Sequence, residues 1–332
     1  MEPERYSKLL SICIPSYNRG HRALGLVKSL LEMKCVSERE DVEIIVSNNG
    51  STLYTEEYDE ISHFSGERFI YNRFDENIQY WGNYNETVKL SNGHYCFLIS
   101  DEDRIGESSV AALLEFLEDG PDFGVMKTAS TVHYKDNAPG RAAAGEDAIK
   151  QFYMAGNYIS GALYNRRYVT DDLIDGLKNL YKTDEGYYYY PHLFVEAYVI
   201  NQADFYFFDG CTVIEGDDEG DMPQAKAVSL PVFASWESRV AQLAGYFKLI
   251  RDLNIDDARK QLMFMMAVCK TISLVVVVKG QYLENATEWN TVYVSAGNAI
   301  LDAVRDCGIP IIENNMEAYL QVVADFIKKD MR

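Results

Sequence analysis

The stretch Tyr95-Cys-Phe-Leu-Ile-Ser-Asp-Glu-Asp103 sets an apolar run directly against three consecutive carboxylates. Neighbouring negative charges repel, so an unaided chain gains nothing by collecting them at the end of a buried strand. A hard divalent cation, Mn2+ or Mg2+, removes the repulsion and bridges to diphosphate oxygens, which makes Asp101, Glu102 and Asp103 candidate metal ligands. The alternative is a solvated acidic turn capping the helix expected from Ser108, favoured by the helix dipole. The position after an apolar strand favours the cation.

The rest of the first half frames that stretch. Residues 9–15, 41–47, 68–71 and 95–99 predict β-strands, with 123–126 a fifth, and apolar residues fall at helical spacing over 23–33, 53–62, 83–90 and 108–117. Strands alternating with helices predict an α/β fold, a mostly parallel sheet flanked by helices on both faces. In such sheets the ligand crevice lies beyond the carboxyl ends of the strands. The loops after Pro15, Ser47, Tyr71 and Ile99 are therefore where chemistry is expected.

Further on, residues 131–145 read as a polar, Gly/Ala-rich surface loop. Helices are expected over 146–153, 168–180 and 191–201, the last opened by Pro191, with strands over 160–164 and 204–209. The acidic run 215–222 predicts a boundary between a first domain, 1–222, and an α-helical C-terminal domain, 223–332. The latter carries four helical segments near 235–253, 256–278, 286–307 and 316–329. The apolar stretch 263–278 reads as a buried core helix, with contact at a membrane surface as the sharper alternative.

Composition narrows the function classes. A chain of 332 residues with 47% hydrophobic and 25% charged residues is globular and long enough for about two domains. A formal charge of −20 without a basic cluster excludes nucleic acid as a partner. The same charge is compatible with a nucleotide diphosphate if a cation screens the site. Six cysteines without a C-x-x-C pair suit a reducing cytosol, and Met1–Lys8 does not read as a signal peptide. Tyrosine, with 24 copies against 15 phenylalanines, suits surfaces that stack sugars.

Two more strand-end loops carry polar motifs. Pro15-Ser-Tyr-Asn-Arg19 combines an aromatic ring with hydrogen-bonding groups suited to a base, or else forms an ordinary turn with Asn18 as a helix cap. Ser47-Asn-Asn-Gly-Ser51 offers amides able to read a pyrimidine edge, and Gly50 there permits close backbone approach, as it also would in a plain turn.

Taken in order with Asn92-Gly-His-Tyr-Cys-Phe-Leu-Ile-Ser-Asp-Glu-Asp103, these motifs resemble the family 2 glycosyltransferases of GT-A fold, over roughly residues 8 to 125. The resemblance is strongest to the branch building bacterial O-antigen and capsule, the abequosyltransferase-like enzymes. It implies an inverting, metal-assisted hexosyl transfer from an NDP-sugar, with UDP favoured, to a saccharide or polyprenyl-linked acceptor. It further implies that Pro15, Tyr17 and Asn18 line the base and ribose pocket. Asn48 stands where the family has a uracil-contacting Asp, Ser51 ends that motif, and Asn77 and Asn85 match asparagines of a third. Asp101 to Asp103 correspond to the D-x-D metal and ribose motif, although alignment from Asn77 puts Ser100 and Glu102 on its two Asp positions. Tyr84 occupies a position where many members carry Arg, and the family's Glu-Asp pair before a later helix is not evident. Candidates for the catalytic base are Asp184, Glu185 and His192, with Glu196 one turn further on. The implied location is cytoplasmic, at the inner membrane face if the C-terminal helices touch lipid. The altered second motif and the absent pair also suit a rival reading, a non-catalytic sugar- or nucleotide-binding subunit of a polysaccharide assembly complex.

Overall fold

The computed structural model describes residues 6–64, 66–132, 138–154, 156, 158–216, 232–282 and 286–331. Strands β1 (Lys8–Ser16), β2 (Val42–Asn48), β3 (Phe69–Arg73) and β4 (Gly93–Leu98) run parallel. They are joined through α1 (Gly20–Glu32), the short α2 (Lys34–Ser37), α3 (Thr55–Ser62) and α4 (Gln79–Lys89). Leu10, Ile12 and Ile14 pack toward Leu24, Leu113 and Leu114 on one face, while Cys13 meets Tyr84 and Val88 on the other. This is the two-residue side-chain period of a strand buried on both sides.

After β4 come β5 (Arg104–Ile105), α5 (Glu107–Glu118), β6 (Val125–Ser130), β7 (Gly140–Ala142) and α6 (Glu146–Phe152). The chain continues through β8 (Ala162–Asn165), α7 (Asp171–Tyr181), α8 (Glu185–Tyr189), α9 (Pro191–Val199) and β9 (Phe205–Ile214). The sheet order is β3-β2-β1-β4-β8-β6-β9-β5, with β7 added on β9. Strand β8 is antiparallel to both β4 and β6, whereas β6 and β9 are parallel, so the sheet is mixed beyond β4. The short β5 and β7 were not legible as strands; each is held only by pairing to β9, a tertiary contact.

Register decides where the site falls. Ser16 lies opposite Asn48 across β1 and β2, and Cys13 opposite Leu98 across β1 and β4. Three parallel strands thus end on one edge and deliver the Pro15, Asn48 and Asp101 loops side by side.

The C-terminal helices are α10 (Trp236–Asp252), α11 (Asp257–Tyr282), α12 (Ala286–Arg305), the short α13 (Pro310–Glu313) and α14 (Met316–Phe326). They share one core with the sheet's second face. Phe194 of α9 lies 5.7 Å from the ring of Tyr246 in α10, and Phe247 stacks on Phe264 of α11 at 4.8 Å. The window Asp257–Val277 is long and apolar enough to cross a membrane by length and composition, and 39% of it is buried in the protein. Its Met263, Phe264, Ala267, Val268, Ile272 and Val275 lie in that shared core. The expected boundary at 222 lies outside the described residues, as do Asp217, Asp218 and Asp221 of the acidic run.

Candidate active site

The three consecutive carboxylates have three different surroundings. Asp101 is fully buried: Ser16 Oγ donates to its Oδ2 at 2.6 Å, and Arg19 Nη2 stands 2.8 Å from its Oδ1. Glu102 is part-exposed and pairs with Nη1 of the same guanidinium. Asp103 is buried and accepts three hydrogen bonds. Its Oδ2 accepts from Tyr158 OH and Ser160 Oγ, both at 2.5 Å, and its Oδ1 accepts from the Gly216 backbone N–H at 3.0 Å. Arg104 donates to the Asp101 and Asp103 carbonyls, tying down the turn. Burial raises the Asp101 carboxyl above the usual aspartate range, and Arg19 and Ser16 oppose the rise.

These contacts test the fit of a divalent cation. Among the described residues, no three His, Cys, Asp or Glu side chains form a ready-made cluster. Asp103 already accepts three hydrogen bonds from the protein. Asp101 Oδ1, by contrast, receives no hydrogen bond and lies against the Arg19 charge, which also meets Glu102, with Arg22 a further favourable charge. One positive group sits between two carboxylates, and if that guanidinium moved aside their oxygens would be ligands of the kind a divalent cation takes.

Arg19 belongs to the loop after β1, and its placement is built. Its backbone N–H donates to Tyr58 OH at 3.2 Å, and that hydroxyl lies 2.5 Å from Ser16 Oγ. Asn18 takes a left-handed φ of 55°, donating its N–H to Ser51 Oγ and accepting from the Thr52 and Leu53 N–H groups on its Oδ1. It therefore clasps the β1 loop to the β2 loop. Tyr17 beside it is 39% exposed, while Pro15 is still paired in the strand opposite Ser47.

In the β2 loop, Asn48 is buried, donating to Tyr71 OH at 2.9 Å and accepting from the Ser51 N–H at 2.9 Å. Asn49 donates to Asn77 Oδ1 at 3.0 Å, and Asn77 also accepts from the Gln79 N–H. Gly50, with φ +67°, has no room for a side chain: a Cβ would stand 2.3 Å from the Glu76 carbonyl carbon. The close approach expected at Gly50 is thus made by the protein's own backbone. Asn85 exchanges hydrogen bonds with Tyr187 OH, fastening α4 to α8 inside the core.

The three base candidates separate as well. Asp184 accepts from Lys248 Nζ at 2.9 Å and Glu185 from Ser238 Oγ at 2.6 Å, so both carboxylates engage α10. His192 is buried in the first turn of α9, its ring 6.3 Å from Tyr84 and 6.0 Å from Tyr190. Behind it, Glu196 accepts from Lys127 Nζ at 2.9 Å and Tyr164 OH at 3.1 Å, all three side chains buried. Lys127 also donates to the Tyr158 carbonyl at 3.0 Å, linking this pair to the segment that holds Asp103. Sequence reading missed Lys127, Tyr158, Ser160 and the role of Arg19. A lone lysine in the apolar strand β6 was the available signal for the first.

With this geometry in place, relatives become informative. Residues 11–170 match the family described as glycosyl transferase family 2. This segment is a family 2 glycosyltransferase domain. The abequosyltransferase RfbV of Salmonella typhimurium is 32% identical over 115 residues, 34% of this chain and 34% of that protein, so the shared segment spans about a third of the relative. The family 2 domain also has clear structural likenesses. TarS residues 1–349 of S. aureus in complex with UDP-GlcNAc superpose with a TM-score of 0.62 at 13% identity, covering 97% of this chain and 88% of that one. The same TarS segment without the ligand gives 0.60 at 10% identity, covering 97% and 89%. At such identities the likeness is one of fold, and the fold is GT-A with a helical C-terminal region.

Proposed function

We propose that the protein is an inverting glycosyltransferase moving a hexosyl group from an NDP-sugar, UDP favoured, to a saccharide or polyprenyl-linked saccharide in the assembly of O-antigen or capsule. One observation carries the reading: Arg19, delivered by the β1 loop, bridges Asp101 and Glu102 of the β4 turn at the edge where the β2 loop also ends. A family 2 domain with that convergence has the parts for holding a nucleoside diphosphate. The relatives, an abequosyltransferase and a TarS segment in complex with UDP-GlcNAc, support sugar transfer from a nucleotide-sugar donor.

Tyr17 offers an exposed ring face to the base, and the Asn18, Asn48, Ser51 and Asn77 lattice keeps the two loops from collapsing. Asp101 and Glu102 would hold Mn2+ or Mg2+, with Asp103 fixing the turn from behind. Bound there, the cation supplies charge neutralisation of the departing diphosphate. Arg19 is placed to turn from Glu102 to a phosphate oxygen. The acceptor proton is taken by a group of the α8–α9 junction, drawn from Asp184, Glu185 and His192. Residues 1–222 form the catalytic part and 223–332 the helical part, working in the cytoplasm; the buried apolar residues of α11 lie in the shared core, which leaves only the exposed face of the C-terminal helices for any lipid contact.

The test is a panel of nucleotide sugars assayed for hydrolysis or transfer with Mn2+ and with EDTA. UDP-sugar turnover lost in EDTA is the expected result. Nucleotide-sugar binding without turnover of any donor would instead favour a non-catalytic subunit.

A further inference from the structure

A closed series of ring contacts and hydrogen bonds joins the start of α4 to the C-terminal helices. Tyr80 stacks on Tyr84 at 6.5 Å, Tyr84 meets His192, and His192 meets Tyr190. Arg239 of α10 donates to Tyr190 OH at 3.0 Å and lies over the Tyr190 and Phe233 rings at 5.7 and 5.8 Å. Phe233 meets Tyr189 at 6.1 Å, Tyr189 meets Tyr188 at 4.9 Å, and Tyr188 OH donates to Gln79 Oε1 at 2.6 Å, next to the starting point at Tyr80. The series is held by hydrogen bonds at two joints, so the rings are fixed before any ligand arrives.

Two of its members are open to solvent. Tyr80 is 38% exposed and Phe233 40%, with Tyr188, Tyr189 and Tyr190 half-buried between them. At the Tyr80 end the series adjoins the strand-end loops: the carbonyl of Gln79, the residue before Tyr80, accepts from Asn49 Nδ2 of the β2 loop at 3.2 Å. Ring faces rimmed with hydroxyls suit a pyranose, whose C–H face stacks and whose hydroxyls need partners.

We infer that this aromatic wall is the acceptor subsite, binding a saccharide of two or more sugars with its terminal unit at Tyr80 and an inner unit against Tyr189 and Phe233. The inference rests on the glycosyltransferase reading and adds a substrate class. On the half-buried side, ring-to-ring steps of 4.9 Å from Tyr188 to Tyr189 and 6.1 Å from Tyr189 to Phe233 make a row longer than one pyranose. Phe233 and Arg239 make the helical region part of the site.

Saturation-transfer NMR with methyl pyranosides and the corresponding di- and trisaccharides, run beside UDP titrations, tests this. At least one oligosaccharide should take saturation from aromatic protons and bind severalfold more tightly than its monosaccharide. Phe233→Leu, which keeps apolar bulk without a ring face, and Tyr189→Ala should each weaken that binding at least fivefold. UDP affinity should stay within twofold. Unchanged glycan binding in both variants, or no aromatic saturation of any glycan, overturns the subsite. Glycan binding of the expected pattern with no UDP binding would leave the subsite standing and sink the donor assignment instead.

Discussion

Arg19 Nη2 lies 2.8 Å from Asp101 Oδ1, and its other terminal nitrogen pairs with Glu102, so one guanidinium from the β1 loop serves two neighbouring carboxylates of the β4 turn. A cation entering the turn competes with that guanidinium. Arg19→Met should therefore bind Mn2+ more tightly than the parent when no nucleotide is present, by roughly tenfold, about 1.4 kcal/mol. Free Mn2+ followed by electron paramagnetic resonance measures it. Equal affinity in the two proteins would remove the competition.

Glu102 and Asp103 should respond differently to loss of charge. Glu102→Gln is expected to keep its melting temperature while needing more Mn2+ for donor turnover. Asp103→Asn disturbs three donors at once, from Tyr158, Ser160 and Gly216, and should cost about 1–3 kcal/mol of stability. Thermal unfolding beside a Mn2+ titration of rate separates them, and identical behaviour would contradict the division of roles.

Asp101 supplies a pH signature. Because burial holds its folded carboxyl above the ordinary range near about 4, the folded chain binds that proton more tightly than the unfolded chain. Its contribution to stability is complete below the unfolded value and is lost as pH rises through the folded one. Asp101→Asn lacks this titration, so the stability advantage of the parent over the variant should shrink as pH rises through that window. Urea unfolding at stepped pH reads it; a growing advantage would reverse the sign of the claim.

The Lys127–Glu196 pair is 2.9 Å long and buried. Removing one partner strands the other charge, so Lys127→Met should cost about 3–5 kcal/mol. Lys127→Met with Glu196→Leu should recover much of that, giving a large coupling in a double-mutant cycle. Additive losses would mean that the two side chains are not acting as a pair.

Among the base candidates, Asp184→Asn and Glu185→Gln each break a contact to α10 and should lower the melting temperature by a few degrees. The variant among these and His192→Gln that loses transfer by a hundredfold or more at unchanged UDP affinity identifies the proton acceptor. Parent-like rates in all three would exclude the α8–α9 junction from that role.

The sequence by itself determined the parallel half of the sheet. Apolar runs at residues 9–15, 41–47 and 95–99 admit only buried strands between amphipathic helices, and that alone places the polar motifs at strand ends. It also marked the carboxylate turn, because charge repulsion in a local triplet is visible without coordinates. Tertiary structure decided what each carboxylate does. Asp101, Glu102 and Asp103 are equivalent in a string of letters, yet one meets Ser16 and Arg19, one shares that arginine at the surface, and one is enclosed by Tyr158, Ser160 and Gly216. Those partners lie tens of residues away, and a charge's role follows from the dielectric and donors around it, which only the folded chain sets. The mixed half of the sheet was hidden for the same reason: β5 and β7 exist because β9 pairs with them, not because their few residues prefer extension.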